Sequence, residues 1–445
     1  MNFGVHTRPV SANLTRLAES LNALNASKTQ YPLAIRVPVN NSDPWQWLRS
    51  NAGLPRIAWA DRDGEETTTG IGIATEVVLQ PGGEMADCIN QCRQLLNGND
   101  QLKFYGGFSF DGNDAWHGFG AGRFVVPRLS VGKRDITLSV MNRDDIAKAK
   151  LDLEQINAEQ DSTINQKFPN RTGIHFSPSF DGWQSRIDEA LSLIRNEVLE
   201  KIVLSRKAIL EFSEPIDPVA LSECLGKSTT DCFIFCFNFD HASAFVGATP
   251  ERLFRRLGNR LDSEVIAGTR MRGNCPAEDE RLAIELLTSD KDQREHDIVR
   301  KSIRQKLHKF VDHLNVADQA SILRLVRKQH LKSEVTGELK SGVDDGMLLK
   351  RLHPTPAVGG YPTDNALPEI ARIEPFNRGW YAAPVGWVGA DSAQFAVAIR
   401  SGLIESNRLS IFSGAGIVRG SEPEQEWREV ENKIQDFLSV LDAQA

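Results

Sequence analysis

Between residues 183 and 199 (WQSRIDEALSLIRNEVL) the apolar side chains Ile187, Leu191, Ile194 and Val198 recur at steps of three and four, the period of a helix that buries one stripe. From Lys201 the period becomes two. KIVLSRKAILEF reads as a strand over 201–212, and 232–239 and 242–249 read as two more. Upstream, 14–24 has a polar helical pattern, 33–39 and 71–79 are short strand candidates, and 85–96 is an amphipathic helix. Residues 104–127 alternate aromatic and small side chains around turn signals, as a hairpin does. Downstream, 279–311 carries one long helical pattern, 352–362 (LHPTPAVGGYP) is loop-forming, and 395–402 (FAVAIRSG) alternates as a strand that includes Arg400. A last helix is expected after Gly420, with Ser421 and Glu424 spaced as a capping box and Pro423 in its first turn. Strands grouped between long helices predict an α+β fold with antiparallel pairs, not regular βαβ repetition. The polar stretch 147–168 is the candidate boundary between an amino-terminal half, 1–165, and a catalytic half, 170–440, of one structural unit.

Composition narrows the function. The 445 residues are 40% hydrophobic, enough for a large core, and the net charge of -7 argues against a nucleic-acid partner. An anionic ligand would have to be caught by local positive charge. The first 14 residues lack the apolar run of a secretory signal and no stretch approaches 18 uninterrupted apolar residues, so a cytoplasmic protein without membrane contact is expected. The six cysteines form no CxxC pair, and Cys232 and Cys236 fall in an apolar strand; buried thiols are expected rather than metal ligands.

Most of the candidate chemistry lies in 412–434, FSGAGIVRGSEPEQEWREVENKI. Gly414 and Gly416 suggest a glycine turn that lets backbone approach a ligand. Glu426, Glu429 and Lys433 stand at i, i+3 and i+7, within an arc of roughly 60° on a helix. Such a face is either solvated, with a Glu429/Lys433 pair contributing about 0.3–0.5 kcal/mol, or a hard-metal site whose oxygen ligands suit Mg²⁺. Elsewhere the residues are ambiguous one at a time. Lys201 could be a solvated edge lysine, and Glu251 a first-turn helix carboxylate after Pro250. Gly268 and Thr269 could form an anion-binding nest or a plain tight turn. Glu295 could simply pair with Lys291 on a wet surface, and His330 could be a structural histidine.

Taken together the segments are recognisable. GAGIVRGSEPEQEWREVENK closely resembles the carboxy-terminal signature of the chorismate-utilising enzymes, a family that includes isochorismate, salicylate, anthranilate and aminodeoxychorismate synthases. EKIVLSR and GATPERL resemble the family motifs that carry general base and general acid in isochorismate and salicylate synthases, which implies those roles for Lys201 and Glu251. LLTSDKDQREHDIV resembles the motif of the second Mg²⁺ ligand, implying Glu295, with His296 left without a role. The resemblance runs from about residue 104 to the carboxy terminus and is densest over 201–433. It implies the anthranilate synthase component I-like fold, two packed antiparallel sheets with helices outside.

The implied site holds Mg²⁺ through Glu295 and Glu429, with Glu426 acting through water, against the ring carboxylate of chorismate. Lys433 and the Gly414–Gly416 turn assist, Tyr381 and Arg400 take the enolpyruvyl carboxylate, and Gly268, Thr269 and His330 line the pocket. Ala267 stands where similar aminodeoxychorismate synthases have a nucleophilic lysine, which counts against that activity. HPTPAV matches isochorismate synthases better than salicylate synthases, which carry a threonine near Ala357; Ala383, often glycine in the family, could narrow the site. The expectation is therefore a monomeric isochorismate synthase of the menaquinone-pathway type. The siderophore type and salicylate synthase are the near alternatives, and an anthranilate synthase large subunit or a non-catalytic chorismate-binding protein the distant ones.

Overall fold

The structure, a computed structural model, describes residues 12–24, 28–40, 42–64, 66–113, 116–157 and 167–443. All described strand pairings are antiparallel and join twenty strands into one ladder. One arm runs from Arg171–Ser177 through Lys201–Phe212, Arg408–Val418, Ser401–Glu405 and Ser243–Thr249 to Phe233–Asn238. Strands Arg56–Ala60, Thr67–Leu79, Gly122–Val131 and Phe104–Phe108 then lead into the other arm. That arm is built from Pro384–Val388, Ser392–Val397, Arg252–Leu257, Arg260–Met271 and Lys328–Leu339. The two sheets implied by the resemblance are thus two arms of one ladder, and strands from before 165 and after 170 pair directly in it.

The chain crosses between the arms at two places that matter for chemistry. Thr249 ends a strand of the first arm and Arg252 begins one of the second, so residues 250–251 form one crossing. Val397 and Ser401 bound the other in the opposite direction. The crossings are bonded to each other: Val397 N donates to Glu251 O at 3.0 Å, Ala248 N to Arg400 O at 3.1 Å, and Thr249 Oγ1 to Val397 O at 2.7 Å. Glu251 and Arg400 are therefore fixed where the arms meet.

Helices cover the outer faces. Phe180–Arg195 starts on Ser179, whose hydroxyl accepts from Gly182 N, and buries Trp183, Ile187, Ala190 and Ile194. It stops at Arg195, so Val198 lies beyond it and is exposed, a correction to the longer stripe expected. The single helix expected over 279–311 is two, Pro276–Thr288 and Asp290–Leu307, divided at Ser289, which caps the second by accepting from Asp292 N. Val311 already begins a strand. Pro423–Asp442 lacks the expected capping box, because the Ser421 hydroxyl instead accepts from Val418 N at 3.2 Å. The expected boundary is partly helical, in Asp145–Gln155, and its residues 158–166 lie outside the described ones. All six cysteines are free; five are buried and Cys275 is exposed. Among the described residues no helix is long and apolar enough to cross a membrane.

Candidate active site

A cavity of about 140 Å³ opens where the arms and the last helix converge, roughly ten times the space one water needs. Glu251, Gly268, Thr269, Glu295, His330, Tyr381, Arg400, Gly414, Gly416, Glu426, Glu429 and Lys433 all line it, so residues spread over 183 positions of sequence meet in one place. Lys201 does not line it. The Lys201 side chain is fully buried behind the cavity wall, and its Nζ donates to Glu295 Oε1 at 2.9 Å.

Lys201 opens the strand Lys201–Phe212 and pairs across the ladder with Val418, two residues from Gly416. Gly414 and Gly416 are not a turn, as expected, but interior residues of the strand Arg408–Val418. Their value is missing bulk. A Cβ on Gly416 would stand 2.8 Å from both Lys201 Cε and Glu295 Oε1, and one on Gly414 would stand 3.1 Å from the Tyr381 hydroxyl and from Ser205 Oγ. Because the atoms crowded at Gly416 are ends of flexible side chains, Gly416→Ala should change the melting temperature little while displacing the lysine and the glutamate. We expect turnover to drop about 10- to 100-fold, since misplacement by about 1 Å costs on that order. Parallel calorimetry and steady-state kinetics would check both halves of this prediction.

Three of the carboxylates that line the cavity are each matched to a lysine. Glu295 takes Lys201, Glu426 takes Lys291 at 3.1 Å, and Glu429 takes Lys433 at 2.7 Å. The alternative reading, a Lys291/Glu295 surface pair, is thus not what forms. Burial and the neighbouring Glu429 push the Glu426 carboxyl up, whereas Glu429, against the effect of burial, is held below the usual range by Lys433 and Lys291. Lys433 also donates to Gly414 O at 2.9 Å, which fixes its ammonium between helix and strand. Among the described residues no three acidic, histidine or cysteine side chains converge as a ready-made metal cage. Oxygen donors from separate elements, all on one cavity, nevertheless fit a hard cation that keeps waters and borrows ligand oxygens.

Glu251 is neither helical nor wet, which overturns the first-turn reading. It sits in the 250–251 crossing and is buried. Burial, followed by the negative charge of Glu264, pushes its carboxyl up to about 8, although Lys201 and Lys433 pull the other way. A carboxyl so placed is protonated at neutral pH and can donate.

The same cavity carries an anion-receiving group. Burial and the neighbouring Arg400 hold His330 well below its usual range, so the ring is neutral. Arg400 Nη2 can only donate, hence His330 Nε2, 2.9 Å away, accepts, and Nδ1–H points to Thr269 Oγ1 at 3.0 Å. The histidine aims the guanidinium. Gly268 is not in a tight turn but at a bulge within the strand Arg260–Met271, at φ +79°, where the register against His330 shifts. Arg400 lies not on a strand but in the second crossing at φ +49°. Tyr381 is buried, and burial raises its phenol further, so it stays a donor. Ala383 is buried but does not line the cavity, and His296 is occupied outside it, 2.9 Å from Ser333 Oγ.

Sequence reasoning missed Lys291 as the partner of Glu426, and Arg270, which bridges to Asp292 at 2.8 Å on the cavity rim. Lys291 lies inside a quoted motif and Arg270 follows Thr269, but their partners lie on other elements and no local spacing announces them.

The chain was compared with known proteins. The family described as "Chorismate binding enzyme" matches residues 19–442. Isochorismate synthase MenF of Escherichia coli K12 is 31% identical over 413 residues, covering 90% of each chain. Isochorismate synthase 2, chloroplastic, of Arabidopsis thaliana is 35% identical over 370 residues, covering 79% of this chain and 66% of that one. Among solved structures, the menaquinone-specific isochorismate synthase MenF from Escherichia coli superposes with a TM-score of 0.86 at 29% identity, over 96% of this chain and 99% of that one. Anthranilate synthase component I from Streptococcus pneumoniae superposes at 0.70 with 19% identity, over 92% and 95%, a likeness of fold alone.

Proposed function

The chain belongs to the chorismate-binding enzyme family, and from that premise we propose that it is an Mg²⁺-dependent isochorismate synthase serving menaquinone biosynthesis. The observation that carries this reading is a proton-holding carboxyl on the cavity, Glu251, with a buried lysine, Lys201, bonded to the cavity-lining Glu295. Similarity over most of both chains to proteins named isochorismate synthase MenF supports both the activity and the pathway.

Lys201, acting as the free amine, takes a proton from the water that attacks C2 of chorismate. The ring double bonds shift, and the C4 hydroxyl leaves as water with the proton of Glu251. One water enters and one departs, so the product is an isomer, and the reverse reaction uses the same groups with their roles exchanged. Glu295 covers Lys201 Nζ on the cavity side, so its carboxylate must turn aside for the lysine to meet the water. Arg400, aimed by His330, and Tyr381 receive the enolpyruvyl carboxylate.

Glu295 and Glu429 would hold Mg²⁺ directly and Glu426 through water, the ion supplying neutralisation and orientation of the ring carboxylate. Lys433 steadies the same end of the substrate. Addition of EDTA should abolish turnover, and Mg²⁺ in excess should restore it; activity undiminished by exhaustive chelation would refute the metal assignment. Ammonia should leave the rate unchanged, because nothing in the proposal uses an amine nucleophile.

A further inference from the structure

The turn that carries Glu251 is gripped from both sides by one ion pair. Arg62, in the amino-terminal half, meets Glu264 through two parallel bonds, Nη1 to Oε1 and Nη2 to Oε2, each 2.6 Å. The same Nη1 donates to Pro250 O at 2.5 Å, and Glu264 Oε1 accepts from Arg252 N at 2.7 Å. Residues 250 and 252, on either side of Glu251, are thus tied to a single buried pair whose side chains are 6% and 2% exposed. The pair is held from outside as well. Asp63 lies 3.8 Å from Arg62 and 2.7 Å from Arg252, and Lys332 lies 3.7 Å from Glu264. Glu264 belongs to the SEVIAGT segment, and the proposed chemistry gives it nothing to do.

We propose that Glu264, clamped by Arg62, is a positioning residue for Glu251: it fixes the turn that carries this side chain and sets the balance of charge around it. This rests on the general-acid role proposed above. The charged groups acting on the Glu251 carboxyl are Glu264 from Arg260–Met271, which favours the proton, and Lys201 from Lys201–Phe212 and Lys433 from the last helix, which oppose it, as does the Thr355 hydroxyl. The flanking Arg62 and Arg252 are balanced by Glu264, Asp61 and Asp63. A carboxylate removed from this set tips the balance toward the cations; a cation removed tips it back.

Breaking the pair from its two ends should therefore move the enzyme in opposite directions. In pH profiles of kcat/KM for chorismate, Glu264→Gln should shift the alkaline limb to lower pH by about one unit, the scale of one nearby charge. Arg62→Gln should shift it to higher pH, and Arg62→Lys, which keeps the charge, should return it toward the parent. A merely structural clamp would scale activity down at every pH in both glutamine variants and leave the limb where it was, which would overturn the inference. So would shifts of the same sign in both. Were one variant not to fold, as read by circular dichroism, the signed shift of the other still decides. A parent protein that shows no turnover of chorismate would fail on the function itself, whereas parent activity with an immobile limb fails on this inference alone.

Discussion

Replacing Lys201 with alanine is expected to lower kcat by about 10²- to 10⁴-fold with the fold retained, the range a positioned acid or base contributes. The strand Lys201–Phe212 is bonded to its neighbour along its whole length, so removing one terminal side chain leaves the backbone held. What disappears is the only proposed acceptor for the proton of the attacking water, together with the donor that holds Glu295 Oε1. Lys201→Met, which fills the same space without the charge, should fail as badly as alanine and so separates chemistry from packing. Steady-state kinetics beside thermal melts give the test. Turnover at the parental rate in a folded Lys201→Ala protein would remove the lysine from the mechanism.

Glu251→Gln should cost a similar factor for a different reason. Glutamine keeps the size and the backbone bonds of the 250–251 crossing but has no acidic proton to give the leaving hydroxyl. The sign of the pH dependence follows from the raised carboxyl. Below about 8 Glu251 is neutral and can donate; above it the proton is lost, so parental activity should fall as pH rises through that value. The residual activity of Glu251→Gln should lack this limb. A variant that kept both the rate and the limb would show that another group is the acid.

Much of this site could be read from the sequence because its motifs are contiguous. EKIVLSR, GATPERL and EPEQEWREVENK each place a charge at a fixed point of a strand, a crossing or a helix, and the structure brings the last two to one cavity and the lysine into contact with Glu295 on its wall. Several local readings failed, each through tertiary context. Gly414 and Gly416 looked like a turn because glycine permits one, yet they sit in a strand where the lysine and tyrosine need the room of a missing Cβ. Arg400 looked like a strand residue because its neighbours alternate, but the chain leaves one arm and enters the other just there. The helix pattern over 279–311 ran on past Ser289 because charge and apolar spacing do not register a serine cap as a break. Least visible was the Arg62–Glu264 clamp: its partners are 202 residues apart, and no spacing rule connects them.

The account turns on what chorismate becomes. Purified protein incubated with chorismate and Mg²⁺, with products separated by chromatography and weighed by mass spectrometry, should yield an isomer of unchanged mass and no pyruvate. Salicylate with pyruvate, or anthranilate formed only when ammonia is present, would contradict the assignment of Lys201 and Glu251 to the addition and loss of water alone.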